Sequence, residues 1–143
     1  RTHGAVHNLT AIRDDVNDRF FNARLTCRVG WGTRRARSLA ASRTHSIRFG
    51  SYHRAENLVL IHPRLDAPDV PREFVTYIVF HEMLHAAIPS ARRNGRWVHH
   101  SPEFRHLESR FPDWKGMVQW SQKILDDKRA GLRSSVRRAR LRE

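Results

Sequence analysis

The chain has little that could staple or anchor it. Its 143 residues include one cysteine, Cys27, which excludes a disulfide framework and a cysteine-built zinc ribbon. Its apolar runs are only a few residues long, far short of the ~20 needed for a membrane-spanning helix. Nothing at its start reads as a signal peptide, so the expected compartment is the cytoplasm, or the nucleoid if the chain binds DNA. Lysine is scarce: of 27 basic residues only Lys115, Lys123 and Lys128 are lysines. Acid is missing from two stretches. Residues 19–54 carry nine arginines and no Asp or Glu, and from residue 128 onward seven basic residues accompany only Glu143. Arginine's forked guanidinium suits phosphate, although a GC-rich genome would enrich arginine as well. What remains is 39% hydrophobic and 29% charged, with a formal net charge of +13. That composition fits one globular domain, and the acid-free stretches point to a polyanionic partner.

Periodicity predicts a first helix over residues 9–21, with Ile12, Val16 and Phe20 on one face and Thr10 as its cap. Strands are expected over 25–31, 45–52 and 58–62, the last two forming a hairpin. Residues 33–43 read as a loop or a long hairpin connection. Residues 71–88 are apolar nearly all round, bounded by Pro71 and Pro89, and predict a helix buried in the middle of the domain. Residues 91–97 read as a polar loop around Asn94-Gly95. A helix capped by Ser101 follows, with Phe104, Leu107 and Phe111 inward. A last helix presents Trp114, Met117, Val118, Ser121 and Leu125 on one face. Trp97, Trp114 and Trp120 are expected to pack, whereas Trp31 fits packing and base stacking equally. Cys27 is expected to be an inert buried residue. Residues 1–127 form the expected domain, and 128–143 a basic tail or frayed helix.

One motif carries sharp chemistry. His81-Glu82-Met83-Leu84-His85 sets two imidazoles one turn apart on a helix, where they can share one Zn²⁺. Glu82 between them can take a proton from water without ligating. With ten histidines in the chain, a chance match has a frequency of about 3%. Two imidazoles and a carboxylate on a buried helix would be costly without a shared partner. A catalytic zinc needs a third ligand and an open position. Ile88 and Ala91 stand where the metzincin pattern needs glycine and histidine. The residues left are His99, His100, Glu103, His106 and Glu108. His106 should face solvent, Glu103 suits a helix dipole, and Glu108 shares the inner face. Spacing does not choose between His99 and His100. Tyr52 and Tyr77 are possible oxyanion donors.

Four pieces in order resemble the SprT-like metallopeptidase family, which includes Spartan, the protease that clears DNA–protein crosslinks. They are Asn17-Asp18-Arg19-Phe20-Phe21, Val29-Gly30-Trp31-Gly32, His81-Glu82-Met83-Leu84-His85-Ala86 and His100-Ser101-Pro102-Glu103-Phe104. The resemblance spans residues 9–114. It implies an α+β, zincin-like fold of the minigluzincin type: a small three-stranded sheet, an N-terminal helix, the metal helix and C-terminal helices. It implies that His81, His85 and His100 bind Zn²⁺ and that Glu82 is the catalytic base of a peptidase. Ser101 stands where the family has glycine, and the family's C-terminal zinc ribbon has no counterpart. The expected partners are a protein or peptide substrate, which could add to a sheet edge, and single-stranded or crosslinked DNA. Arg34, Arg35, Arg37, Arg137, Arg138 and Arg140 are the expected DNA contacts. A monomer without membrane contact is expected. The alternatives are a zinc peptidase with no nucleic-acid role and a non-enzymatic DNA-binding module with structural zinc.

Overall fold

The computed structural model describes residues 1–33 and 48–140, with side chains described through residue 127. Helix α1 spans Leu9–Phe20. Its cap is Asn8, not the expected Thr10: Asn8 has extended backbone, and its side-chain oxygen accepts from the amides of Thr10 and Ala11. Leu9, Ile12 and Val16 are buried. The chain then turns through Asn22 and Ala23, both with positive φ. Asn17 holds this turn in place. Its amide donates to the Leu25 carbonyl at 2.9 Å and its oxygen accepts the Leu25 amide at 3.1 Å.

Strand β1 spans only Arg28–Trp31. The strand expected from residue 25 starts late because Asn17 occupies the Leu25 peptide and Arg13 the Cys27 carbonyl. Strands β2 (Gly50–His53) and β3 (Leu58–Ile61) form the expected hairpin. The sheet order is β1-β3-β2, with β1 parallel and β2 antiparallel to the central β3. Val59 and Ile61 are fully buried. Residues 45–47 of the expected strand and nearly all of the expected 33–43 loop lie outside the described residues, as do Arg34, Arg35 and Arg37.

Helix α2 spans Arg72–Ala87, with Pro71 at its cap position. Every residue from Phe74 to Phe80 is buried, as are Glu82, Met83 and Leu84. This helix is the centre of the core, packed by α1 on one side and by the sheet on another. The expected polar loop after it is a second hairpin, with β4 at Ala91–Arg93 and β5 at Arg96–Val98. Asn94 (φ 51°) and Gly95 (φ 76°) supply the two left-handed positions of a tight type I′-like turn.

Helix α3 spans Pro102–Glu108, and the backbone of α4 runs over Trp114–Arg140, through the expected tail. The side chains of Arg137, Arg138 and Arg140 lie outside the described ones. Phe20, Phe80 and Phe111 stack where α1, α2 and the α3–α4 corner meet. On α4, Met117 and Ile124 are buried and Val118 is exposed, a correction to the expected face. Trp114 and Trp120 pack against the core, but Trp97 is 61% exposed. Cys27 is buried, and burial pushes its thiol pKa up. No helix among the described residues is long and apolar enough to cross a membrane. The architecture is α+β.

The N-terminal segment is fastened by Asp66, just beyond a 3-10 turn at Pro63–Leu65. Its carboxylate accepts from the amides of Ala5, Val6 and His7 at 2.7–2.9 Å. A Cβ on Gly4 would overlap that carboxylate. Burial pushes the Asp66 pKa up, but the three N–H donors outweigh it and hold the pKa below the ordinary 3.8. A depressed carboxylate stabilises the fold above its unfolded pKa and loses that contribution as pH falls through the folded value. Asp66→Asn should therefore destabilise the protein at pH 7, on the order of 1 kcal/mol after solvent screening. The gap should close below the ordinary aspartate pKa. Thermal unfolding of both forms against pH checks this; a gap that persists in acid would contradict it.

Candidate metal centre

His81 and His85 lie one turn apart in the last half of α2, on the same helix face. The third imidazole arrives from β5. His100 follows the strand by two residues, immediately before the Ser101 cap of α3. One ligand atom from each of His81, His85 and His100 falls within 4.8 Å of the others. That spacing lets the three imidazoles share one cation. His99 is not in this cluster: its Nδ1 pairs with Ser90 Oγ at 2.7 Å. His106 and Glu103 are exposed.

Phe104 is the floor of the site. It is fully buried, and its ring centroid lies 4.6–5.2 Å from those of all three histidines. Ser101 places it there. The Ser101 hydroxyl accepts the Phe104 amide at 3.2 Å and so caps the helix.

Glu108 is inside, as expected of its helix face, but its contacts are with a histidine and the groups behind it. Glu108 Oε2 lies 3.1 Å from His81 Nδ1. Its Oε1 accepts from the Tyr77 hydroxyl at 2.7 Å and from Trp114 Nε1 at 3.3 Å. Burial works against this carboxylate, yet the His81 and Tyr77 contacts overcome it and hold the pKa down at about 2. An ionised Glu108 can only accept, so His81 Nδ1 carries the proton and Nε2 is the lone-pair nitrogen. A carboxylate behind a ligating histidine is the usual way a metal site fixes the tautomer. The Tyr77 hydroxyl is pushed well up by burial and by Glu108, so it remains a donor.

The other two rings are also suited to a cation. Burial first, then the neighbouring imidazoles, push the His85 pKa down to about 4, and His100 is lowered for the same reasons. Both keep a free lone pair at neutral pH. Burial alone would lower His81 too, but Glu108 and Glu82 outweigh it and leave it raised. Glu82 is buried beside this face, and burial raises its carboxyl pKa to about 7. Three imidazoles without thiolate, two of them held neutral and the third able to give up its Nε2 proton to a metal, form a donor set that fits a borderline cation such as Zn²⁺.

The three histidines and Glu82 line an open cleft of about 740 Å³ whose opposite wall is β2. Among the described residues, β2 has β3 as its only strand partner, and its residues line the cleft. Gly50, which the sequence reading passed over, explains how closely β2 approaches. A Cβ there would lie 2.9 Å from Glu82 Cγ and 3.2 Å from Ile78 Cγ2. A glycine opening a strand was the available signal. Tyr52 and Tyr77 both line the cleft, but the Tyr52 hydroxyl donates to Asn57 and that of Tyr77 to Glu108. Neither is free to serve an oxyanion in this arrangement.

No protein-family model, curated protein or solved structure matches the chain.

In Glu108→Gln the amide would meet His81 Nδ1 with a donor and favour the tautomer that protonates Nε2. Metal affinity should fall by roughly 10–100-fold while the fold persists. Competition with a chromogenic chelator measures it. Wild-type affinity in the variant would mean that Glu108 does not orient His81.

Proposed function

We propose that this protein is a zinc-dependent peptidase of zincin-like architecture, with His81, His85 and His100 as ligands and Glu82 as general base. The observation that carries the reading is the position of Glu82. It lies beside the three-imidazole cluster, in the same cleft and close under β2. A purely structural zinc site has no need of a fourth, carboxylate-bearing residue held apart from the ligands, or of a cleft beside them. The ordered resemblance to SprT-like peptidases supports the same assignment.

The substrate would enter extended. A peptide pairing with the edge of β2 gains main-chain hydrogen bonds, and its scissile carbonyl is brought over the histidines. When bound, zinc supplies a Lewis acid that polarises that carbonyl and yields a nucleophile from water near neutral pH. Glu82 takes a proton from the attacking water and returns it to the departing amine, so water is consumed as the C–N bond breaks. Glu108 keeps His81 in its ligating tautomer, and Tyr77 and Trp114 hold Glu108. Gly50 leaves Glu82 the room to act.

The net charge of +13 and the two acid-free stretches support DNA-associated proteins as the substrate class, with the chain recruited through its arginines. Crosslink clearance would be one such task.

Two variants test the catalytic reading together. Glu82→Gln should retain one zinc per chain and lose nearly all hydrolysis of casein or histone, a fall of at least about 100-fold. Gly50→Ala should also keep its zinc but lose activity in part, because the new methyl group displaces Glu82 and no ligand. Zinc content by mass spectrometry and the rate of proteolysis are the readouts. Wild-type turnover in Glu82→Gln would remove Glu82 from the mechanism.

A further inference from the structure

The β4–β5 hairpin buries almost nothing. Every residue from Ala91 to Trp97 is exposed, and only Val98 is half-buried. A two-stranded hairpin gains little stability by itself, and this one does not tuck its indole under the fold. Trp97 is 61% exposed. Directly across the ladder stands Arg92, whose guanidinium lies 5.8 Å from the indole centroid. Arg93 and Arg96 are also paired directly across the ladder, beside the turn. Like charges placed opposite each other destabilise a hairpin. No acid lies between residues 83 and 102 to offset them. Among the described residues, none of the three arginines forms an ion pair.

We propose that this hairpin is a docking element for single-stranded nucleic acid, with a base on Trp97 and phosphates on Arg92, Arg93 and Arg96. An anionic strand relieves the Arg93–Arg96 repulsion, and an exposed indole flanked by a guanidinium offers a flat surface to an unpaired base. An acidic peptide would satisfy the arginines but would have no use for the indole. A lipid surface would need more apolar area than one tryptophan on an otherwise polar hairpin. This deepens the nucleic-acid part of the proposed function, because the six arginines assigned to DNA from the sequence do not include these. It does not depend on the peptidase part. The hairpin also sits where recruitment would matter. Its foot is closed by the Ser90–His99 bond, and Ser90, His99 and His100 line the metal cleft. A strand held on Trp97 is therefore held beside that cleft.

The test uses the full chain with labelled (dT)15, (rU)15, a 15-base-pair duplex and phosphatidylserine vesicles. Trp97→Ala should weaken binding to the single strands about tenfold, and Trp97→Phe should keep most of the affinity. Duplex binding should change much less. Replacing Arg92, Arg93 and Arg96 together with Ala should reduce the log–log salt slope on (dT)15 by about 2. Zinc content and cleavage of a short free peptide should not change. If the chain binds (dT)15 and Trp97→Ala binds it equally well, the hairpin inference fails while the general nucleic-acid reading stands. If the chain binds no oligonucleotide, both fail. Equal losses on duplex and single strand, or a Phe variant as weak as the Ala variant, would rule out stacking. Loss of vesicle binding alone would make the hairpin a lipid contact.

Discussion

Three imidazoles and two carboxylates crowd around the last turns of a helix that is otherwise the hydrophobic centre of the domain. That arrangement is expensive unless the groups satisfy one another and share a cation. Much of the surrounding structure follows from meeting this condition. Glu108 accepts three hydrogen bonds and stays ionised inside the fold. His81 is thereby held in one tautomer. Among the described residues no carboxylate is hydrogen-bonded to His85 or His100, and partial loss of solvation with repulsion from His81 keeps their lone pairs free. Phe104 gives the three rings a common apolar floor, and the Ser101 cap fixes Phe104.

The fold supplies the cleft from two directions. Asn17 holds the turn that leaves α1, and Asp66 holds the segment that enters it. Packing of α1, the sheet and α2 then brings β2, the outer strand among the described residues, over Glu82. The absence of a side chain at Gly50 makes that approach possible. The third histidine comes from the opposite side, on the short segment between β5 and α3. The exposed hairpin is therefore not an appendage. It carries the chain from the second histidine to the third, and whatever binds it is next to the site.

How much of this was legible in the sequence depended on whether the signal was local. The buried helix, its HExxH pair and the Ser101-Pro102 helix start are written in consecutive residues. The structure also groups His100, and not His99, with that pair, in line with the family resemblance. The first helix was legible, but its cap was not, because Asn8 and Thr10 are both good capping types and only the backbone turn chooses. The late start of β1 was hidden because Asn17 competes for Leu25 from eight residues away. The hairpin at residues 91–98 lacked the apolar alternation that marks strands. Its Asn94-Gly95 pair was the one available clue. The task of Glu108 was the furthest from view, since it depends on Tyr77 and Trp114 arriving from two other helices. Trp97 was expected to pack because most tryptophans do, and its exposure is what marks it out.

The central claim is that three histidines hold a metal and leave a position open for chemistry. Cobalt substitution tests this most directly, since the visible spectrum of Co²⁺ reports its coordination. One Co²⁺ per chain is expected, with tetrahedral-type absorption that is lost in His100→Ala. Adding a small hydroxamate should shift the bands as it occupies the open position. A spectrum indifferent to hydroxamate would indicate a closed structural site, and one indifferent to His100→Ala would show that the third ligand is a different residue.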